Sequence, residues 1–451
     1  MKTPRTNKME TAPVSKLLLS LSLPIMFSMM VQALYNVVDS VFIARFSEKA
    51  LSAVSLTFPM QTLMIAVGIG TCVGVNALLS RTLGQKNLEK ARTIVQHGAL
   101  LALFSYLPAL VIGLFFTRQF FSVQTTDAEI IAYGVDYMSI CMMFSISLFG
   151  QQLFEKLLQA SGRSILSMVS QIIGAIVNIV LDPLLIFGIM GFPALGAQGA
   201  AIATVIGQSA AFLAAFLFHQ HYNKELILSY ANFKLDITVI KEIYKIGLPA
   251  IVMQAIGSVT NFLLNGILMS FSATTTAVYG IYYKLQSFIF MPVYGLSAGM
   301  LPIMSYNFGA KQTERILSTR RYAMLYMAII MLAGTVIFQF APNQLLSLFN
   351  ASAEMRSIGL PALRIISSYF IFEGFCLISQ TSFQSVGRGL FSLICSLTRQ
   401  IVVLLPVAYT LSLSGNIKYV WFAFPITGAV SLVVCLFLWK NVYQKNIAPH
   451  D

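Results

Sequence analysis

Long apolar runs alternate with short polar loops along almost the whole chain. Each run is long enough to cross the hydrocarbon core of a bilayer, which takes a helix of about 20 residues. The twelve runs, named segments 1 to 12, lie at about 17–46, 51–81, 93–117, 128–158, 164–189, 195–218, 243–271, 276–308, 318–341, 355–384, 390–413 and 418–439. This pattern predicts an all-α polytopic membrane protein with twelve transmembrane helices.

Composition and charge agree with this prediction. The 451 residues are 57% hydrophobic and only 10% charged, whereas about 25% of the residues of a soluble domain are charged. The net charge of +13 does not indicate nucleic acid binding, because the basic residues lie in short loops between apolar runs. Of the 29 Lys and Arg residues, 21 lie on one predicted side and 5 on the other. The positive-inside rule therefore predicts a multi-pass membrane protein with both termini cytoplasmic.

The two halves of the chain repeat each other, and position n of the first half matches position n + 225 of the second. The matching positions are Leu23-Pro24 with Leu248-Pro249, Asn36 with Asn261, Gly84 with Gly309, and Gln159 with Gln384. Since six spans is an even number, both halves start on the same side, which predicts parallel repeats with a binding site between them. The predicted parts are a cytoplasmic tail (1–16), an N-lobe (17–218), a cytoplasmic linker (219–242), a C-lobe (243–439) and a second tail (440–451).

Segment 1 carries a polar stripe inside its apolar run. Ser28, Gln32, Asn36 and Asp39 fall on one helical face. A carboxylate in hydrocarbon costs at least about 2.5 to 3.5 kcal/mol, so such an acid indicates function and a face turned toward a water-filled interior. The alternative is a structural acid paired with a neighbouring donor. Pro24 removes a backbone hydrogen bond and should bend the helix.

A second stripe in segment 5 also ends in an acid. Its members are Gln171, Gly174, Asn178 and Asp182, whereas the stripe of segment 7 (Gln254, Ser258, Asn261, Asn265) is neutral. Only the first half therefore carries these carboxyl groups, because Leu264 and Val407 stand at the positions that match Asp39 and Asp182. Two acids in a sparsely solvated cavity disfavour double ionisation, which suits a proton-coupled carrier. Asp182 is alternatively a helix-terminal residue that faces water before Pro183.

The second half has charges of its own within apolar runs. Glu373 is expected to form a buried ion pair with Arg399 or Arg364 that joins segments 10 and 11; the alternative is a site for a cationic substrate at Glu373. Glu155, near the end of segment 4, is expected at the membrane interface. No metal-binding spacing is present, and His219 and His221 are predicted to lie in a loop.

The motifs together resemble the multidrug and toxic compound extrusion (MATE) transporters over essentially the whole chain. The resemblance rests on Leu23-Pro24 with Asn36 and Asp39, on 84–86 (GQK), on 178–183 (NIVLDP), on 199–204 (GAAIAT) and on 306–310 (YNFGA). It implies two six-helix lobes, a location in the cell inner membrane, no cofactor, and efflux of cationic amphipathic compounds by antiport with H⁺ or Na⁺. Carried over by motif, the ion-coupling residues are Asp39, Asn178, Asp182 and Thr204, and Pro24 is the hinge.

The resemblance is not complete in the second half. One branch of the family has a sodium-binding glutamate in segment 7, where this chain reads Gln254-Ala255-Ile256-Gly257. The N-lobe is therefore the expected ion site, and Na⁺, if it is the coupling ion, is expected at Asp39, Asn178 and Asp182. The residues expected to line a substrate cleft are Gln32, Tyr35, Asn36, Gln254, Asn261 and Glu373.

The sequence thus predicts a secondary active multidrug antiporter that works by alternating access, and it predicts a monomer because one chain holds both lobes. A lipid-linked glycan flippase of the same superfamily is the alternative, although it predicts a strongly basic cavity and only Arg364 and Arg399 could line one. A membrane-embedded enzyme would need a nucleophile, metal or acid–base cluster at one face, and the sequence has none.

Overall fold

The computed structural model describes residues 8–230 and 233–448. Within these ranges the chain is helical and without strands, and it has ten helices that can cross a membrane and two bent helix pairs that raise the number of spans to twelve. The all-α prediction is confirmed. Lys2, Arg5 and His450, which belong to the predicted tails, lie outside the described residues.

Each helix or bent pair coincides with one predicted segment. Segments 1 to 6 are Val14–Phe46, Glu48–Gly84, Leu88–Phe115, Ala128–Met143 with Ile146–Ala160, Ser164–Phe187 and Ala197–Tyr222. Segments 7 to 12 are Ile237–Met269, Ala273–Gly309, Thr313–Phe340, Ala353–Ser367 with Phe370–Ser385, Gly389–Ser412 and Ile417–Ile447. Short helices Lys8–Thr11, Thr117–Ser122 and Pro342–Ser347 lie between or before them.

The repeat predicted from sequence extends to the backbone. Ser47 and Ser272, which stand at matching positions of the two halves, cap segments 2 and 8 by accepting hydrogen bonds from backbone N–H groups three residues on, at 3.3 and 3.1 Å. Gly162 and Gly387 follow segments 4 and 10 with φ of 77° and 79°, a conformation that glycine adopts without strain. Both bent pairs turn by 46°.

The chain divides into two compact units, Phe27–Ile251 and the combination of Met1–Met26 with Val252–Asp451. The first division falls two residues after Pro24 in segment 1, and the second falls two residues after Pro249 in segment 7. Each of these two long helices therefore begins in one unit and ends in the other. The compact units overlap with the two repeat halves except for this exchange of helix starts.

The start of segment 7 belongs to the core of the unit Phe27–Ile251. Val239 and Ile243 are buried in the same hydrophobic cluster as residues of segments 2, 3 and 4, and Lys90 forms an ion pair with Glu242 at 2.7 Å. The close approach depends on glycine, because a Cβ atom at Gly70 would lie only 2.7 Å from the backbone nitrogen of Ile251. Segment 2 therefore presents a small-residue face to segment 7.

The other unit repeats this contact. A Cβ atom at Gly295 or Gly299 of segment 8 would lie 2.8 Å from the Cα atom of Met26 or Ser22 of segment 1. These two glycines stand at the positions of the second half that match Gly70 and Gly74. Two matching pairs of glycines thus fix the starts of segments 1 and 7 against segments 8 and 2.

Gly299→Leu is expected to destabilise this packing by about 1–3 kcal/mol, because a side chain there meets backbone atoms that cannot move aside. A lowered unfolding temperature of the detergent-purified protein measures the effect. Gly280→Leu in the same helix is the matched control, since a Cβ atom at Gly280 has no atom within 4 Å. Equal unfolding temperatures for the two variants would contradict the close packing.

The segment that joins the halves is docked on the unit Phe27–Ile251. His97 Nε2 accepts a hydrogen bond from the backbone N–H of Asp236 at 2.8 Å, and Arg92 donates to the carbonyl of Glu225 at 2.8 Å. The Asp236 carboxylate accepts from the Thr238 N–H at 2.8 Å, and this bond lowers the pKa of Asp236. The interdomain linker is therefore an ordered part of the fold in its described residues.

The prediction that His219 and His221 lie in a loop is wrong. His219 and His221 lie in the last turn of segment 6, which continues to Tyr222. His219 is buried, and its Nε2 atom donates to the carbonyl of Leu226 at 2.8 Å while Nδ1 accepts from Asn223 at 3.0 Å. This pairing with the linker extends the helix beyond the end of the apolar run.

Candidate ion and substrate site

Asp182 lies inside the helix of segment 5 and is completely buried. This excludes the alternative of a helix-terminal acid that faces water. Its Oδ1 atom accepts a hydrogen bond from the Asn178 amide one turn earlier, at 3.2 Å. Asn178 is also buried, with 3% of its surface exposed, so the two residues form one polar group inside an apolar helix.

Close helix packing positions this pair. A Cβ atom at Gly207 of segment 6 would lie 2.8 Å from the carbonyl oxygen of Gly174 and 2.9 Å from the Cβ atom of Asn178. The absence of side chains at Gly174 and Gly207 therefore lets segments 5 and 6 touch at the level of Asn178. Thr204 lies half-buried on segment 6, less than one turn before Gly207.

Asp39 completes the group from segment 1. It is half-buried, and its carboxyl interacts electrostatically with that of Asp182. Three buried oxygen atoms, Oδ1 of Asp39, Oδ2 of Asp182 and Oδ1 of Asn178, have no hydrogen-bond donor in the described part of the chain. Buried acceptors are rarely left without a partner, and a proton or a small cation would satisfy them. The structure thus brings together the two acids and the amide that the sequence singled out.

Gln32 and Tyr35 extend this polar group along segment 1. The side-chain oxygen of Gln32 accepts a hydrogen bond from Gln171 of segment 5 at 3.2 Å. The Tyr35 hydroxyl lies beside Gln32 and interacts electrostatically with Asp39 and Asp182. Asn36 is exposed on the same helix. The polar stripes of segments 1 and 5 therefore meet through Gln32 and Gln171.

The other three residues predicted for the substrate cleft belong to the other compact unit. Gln254 is exposed, and the Asn261 side-chain oxygen accepts a hydrogen bond from the Tyr279 hydroxyl at 2.9 Å. Glu373 is 4% exposed and forms an ion pair with Arg399, which is 9% exposed. Of the two arginines considered from sequence, Arg399 is thus the partner, whereas Arg364 is exposed.

The backbone around Arg399 departs from the repeat. Residues Thr398–Leu404 of segment 11 form a π-helix, whereas the matching part of segment 5 is α-helical. Arg399 stands at the position that matches Gly174. A π-helical turn holds one extra residue and rotates the side chains that follow it. No hydrophobic pattern signals this turn, so sequence reasoning missed it.

Glu155, which the sequence predicts at the membrane interface, lies near the end of segment 4 and has polar neighbours within its unit. It lies on the second helix of segment 4, where the Gln151 amide donates to its Oε1 atom at 2.9 Å. Its carboxyl interacts electrostatically with Tyr35 of segment 1 and Cys72 of segment 2. The sequence alone does not predict these neighbours, because Glu155 stands near a helix end and the neighbours lie on other segments.

Comparison with known proteins decides the family. The MatE family model matches residues 24–184 and again 249–410, which together exceed half of the chain. This chain belongs to the MatE family. The two matches start at Pro24 and Pro249, a matched pair of the internal repeat.

Relatives of this MatE protein match it along almost its whole length. The multidrug export protein MepA of Staphylococcus haemolyticus is 27% identical over 431 residues, covering 95% of this chain and 93% of MepA. An FAD transporter of Shewanella oneidensis is 27% identical over 441 residues, or 96% of both chains. An outward-facing multidrug resistance MATE transporter of the MOP superfamily shares the fold, with a TM-score of 0.89, 24% identity and 98% of both chains covered.

Membership of the MatE family makes this protein a multi-pass membrane transporter of small molecules and not an enzyme. Transporters of the family need no cofactor and are coupled to ion gradients. Among residues 8–230 and 233–448, no three His, Cys, Asp or Glu side chains are grouped so that they could hold a metal ion. The carboxyl groups of Asp39 and Asp182, which have buried oxygens without hydrogen-bond donors among the described residues, are candidates for the coupling site.

Proposed function

We propose that this MatE protein exports small amphipathic cations across the cell inner membrane in exchange for protons that bind at Asp39 and Asp182. The observation that carries the proposal is the pair of interacting carboxyl groups that occurs in only one of two otherwise matching halves. Ion coupling needs a group that changes its charge or occupancy during transport. In the second half, the buried carboxyl group of Glu373 already has the Arg399 guanidinium as its partner.

The buried oxygens without hydrogen-bond donors favour reversible binding of an ion at this site. A proton on either carboxyl converts an acceptor into a donor and removes one negative charge from the pair. Sodium is the alternative ion, and it would be held by oxygens of Asp39, Asn178 and Asp182, with Thr204 on the neighbouring helix. Both ions use the same residues, so gradients imposed one at a time distinguish them.

The proposed mechanism is alternating access. Substrate enters from the cytoplasm or the inner leaflet, and ion binding at Asp39 and Asp182 from the outside accompanies its release. Pro24 is the proposed hinge, because it interrupts the hydrogen bonds of segment 1 two residues before that helix passes into the other compact unit. The termini are proposed to be cytoplasmic and the transporter to act as a monomer.

The charges within the spans favour a cationic substrate. The two relatives described above are equally similar to this chain, and one is named for multidrug export and the other for FAD transport. The basic residues within the spans are few, and Arg399 is neutralised by Glu373. The small number of basic residues favours cationic drugs over a flavin nucleotide, which carries phosphates. The transport experiment therefore includes both a cationic dye and FAD.

Transport by purified protein in proteoliposomes tests the function. A proton gradient or a sodium gradient is imposed separately, and accumulation of a cationic dye and of FAD is followed for wild type and Asp39→Asn. We expect dye transport driven by the proton gradient and lost in the variant. We expect accumulation to fall about tenfold or more, within the range of about 5- to 150-fold that coupling free energies of about 1–3 kcal/mol allow.

Other outcomes of this experiment contradict the proposal in different ways. Transport driven only by sodium would replace the ion, and transport of FAD without the dye would replace the substrate. Transport that ignores both gradients, or that survives Asp39→Asn unchanged, would mean that the coupling site lies elsewhere.

A further inference from the structure

A row of polar side chains follows the second helix of segment 4, Ile146–Ala160. Its members are Gln151, Gln152, Glu155, Lys156 and Gln159, which share one helical face. At the matching positions the second half has Cys376, Leu377, Gln380, Thr381 and Gln384, none of them ionised. Like Asp39 and Asp182, the charges at Glu155 and Lys156 are therefore confined to the first half.

Hydrogen bonds connect this row to segment 5. Lys156 donates to the Gln159 side-chain oxygen at 2.8 Å, and the Gln159 amide donates to the Ser167 hydroxyl at 3.0 Å. The side-chain oxygen of Gln152 is buried and has no donor among the residues described. The polar face of segment 4 therefore points into the protein, where it meets the start of segment 5.

The carboxyl groups of Asp182 and Glu155 lie at different levels along their helices. Asp182 is 18 residues from the start of the helix Ser164–Phe187, which is about 27 Å along the helix axis. Glu155 is five residues from the end of segment 4, about 8 Å along that helix from the turn that joins segments 4 and 5. A proton that leaves Asp182 toward the turn between segments 4 and 5 must cross the interval between these two levels to reach Glu155.

Polar groups occupy this interval. Gln171 of segment 5, seven residues from the helix start, bonds Gln32 of segment 1 at 3.2 Å. The Tyr35 hydroxyl, beside Gln32, interacts electrostatically with Asp39, Asp182 and Glu155. It is thus a shared neighbour of all three acids. The other ionisable groups that face Glu155 are Lys156 on its own helix and Cys72 on segment 2.

We propose that Glu155 is a relay residue, which carries protons between the Asp39–Asp182 pair and the membrane face where segments 4 and 5 meet. The Glu155 carboxylate binds the proton that leaves the pair and then gives it to water at that face, so charge and protons balance at each step. The adjacent Lys156 ammonium stabilises the carboxylate after the proton has left. This inference rests on the proposed function with H⁺ as the coupling ion.

Rates distinguish a relay from a coupling site. In proteoliposomes at fixed outer pH, Glu155→Gln should slow dye transport by about 10²-fold, the usual range for a lost acid–base group. The final accumulation should stay at the wild-type level, because a relay sets the rate and not the stoichiometry. The dependence of the rate on inner pH should disappear, and Glu155→Asp should restore part of it. Glu242→Gln, which removes a carboxyl paired with Lys90, is the matched control and should behave as wild type.

Each alternative result has its own meaning. A wild-type rate at every inner pH for Glu155→Gln, with accumulation lost in Asp39→Asn, would overturn the relay and leave the proposed function intact. Loss of accumulation in both variants, with normal unfolding temperatures, would also overturn the relay, because it would place Glu155 in the coupling site. Unchanged accumulation in Asp39→Asn would overturn the proposed function itself. If Glu155→Gln does not fold, Lys156→Gln tests the relay instead, because it removes the ammonium group that stabilises the Glu155 carboxylate. It should slow transport without changing accumulation, and a wild-type rate would overturn the relay.

Discussion

Arg399→Leu should destabilise the protein by about 3–5 kcal/mol, the cost of leaving one partner of a buried ion pair alone. The Glu373 carboxylate is 4% exposed and lies in an apolar helix, so it has no access to water once the guanidinium is gone. The unfolding temperature of the purified protein, and the fraction that elutes as a single species, report the loss. The large size of the expected effect follows from the depth of burial of both groups.

The double variant Arg399→Leu/Glu373→Leu is the decisive comparison. It removes both charges and should recover most of the stability, because apolar residues often replace a buried ion pair without loss. Arg364→Leu is the control for removal of an arginine from the same lobe, and its exposed side chain predicts a small change. A single Arg399→Leu variant as stable as wild type would refute the pairing.

Asp182→Asn should abolish gradient-driven accumulation of substrate while the protein stays folded. Asparagine keeps the shape of the side chain and can still pair with Asn178, but it cannot bind and release a proton. We expect accumulation to fall at least about tenfold, within the range that typical coupling free energies allow. Substrate accumulation in proteoliposomes under a proton gradient measures it.

The control for this variant is another carboxyl group of the first half. Asp136→Asn changes an exposed acid on segment 4 and should leave accumulation unchanged. Substrate binding without a gradient should persist in Asp182→Asn, since the substrate need not touch this fully buried residue. If Asp182→Asn accumulated substrate as wild type does, the carboxyl pair would have no part in coupling.

Much of this architecture can be read from the sequence, because a bilayer imposes a simple rule on apolar length. All twelve segments, the internal repeat, and the placing of each polar stripe on one helical face follow from the sequence pattern, whereas the contact of the stripes through Gln32 and Gln171 is seen only in the structure. The complete burial of Asp182 could not be read so directly. It depends on Gly174 and Gly207, which bring two helices together at the level of Asn178.

Other features depend on contacts that spacing does not encode. Arg399, and not Arg364, is the partner of Glu373, and it lies in a π-helical stretch that has no hydrophobic signature. The helix of segment 6 continues to Tyr222, past the end of the apolar run, and His219 in its last turn is hydrogen-bonded to Leu226. Glu155 has neighbours on segments 1 and 2 that are distant in sequence.

The exchange of helix starts between the compact units has a consequence for biosynthesis. The unit Phe27–Ile251 lacks part of its core until residues 237–251 have left the ribosome, because Val239 and Ile243 pack among segments 2 to 4. The residues before Phe27 are synthesised first, but they can pack only after segment 8 has been made, since Ser22 and Met26 contact glycines of that segment. Neither half of the gene therefore encodes a complete folding unit, and a chain cut within the linker should regain its structure only when both pieces are inserted in the same membrane.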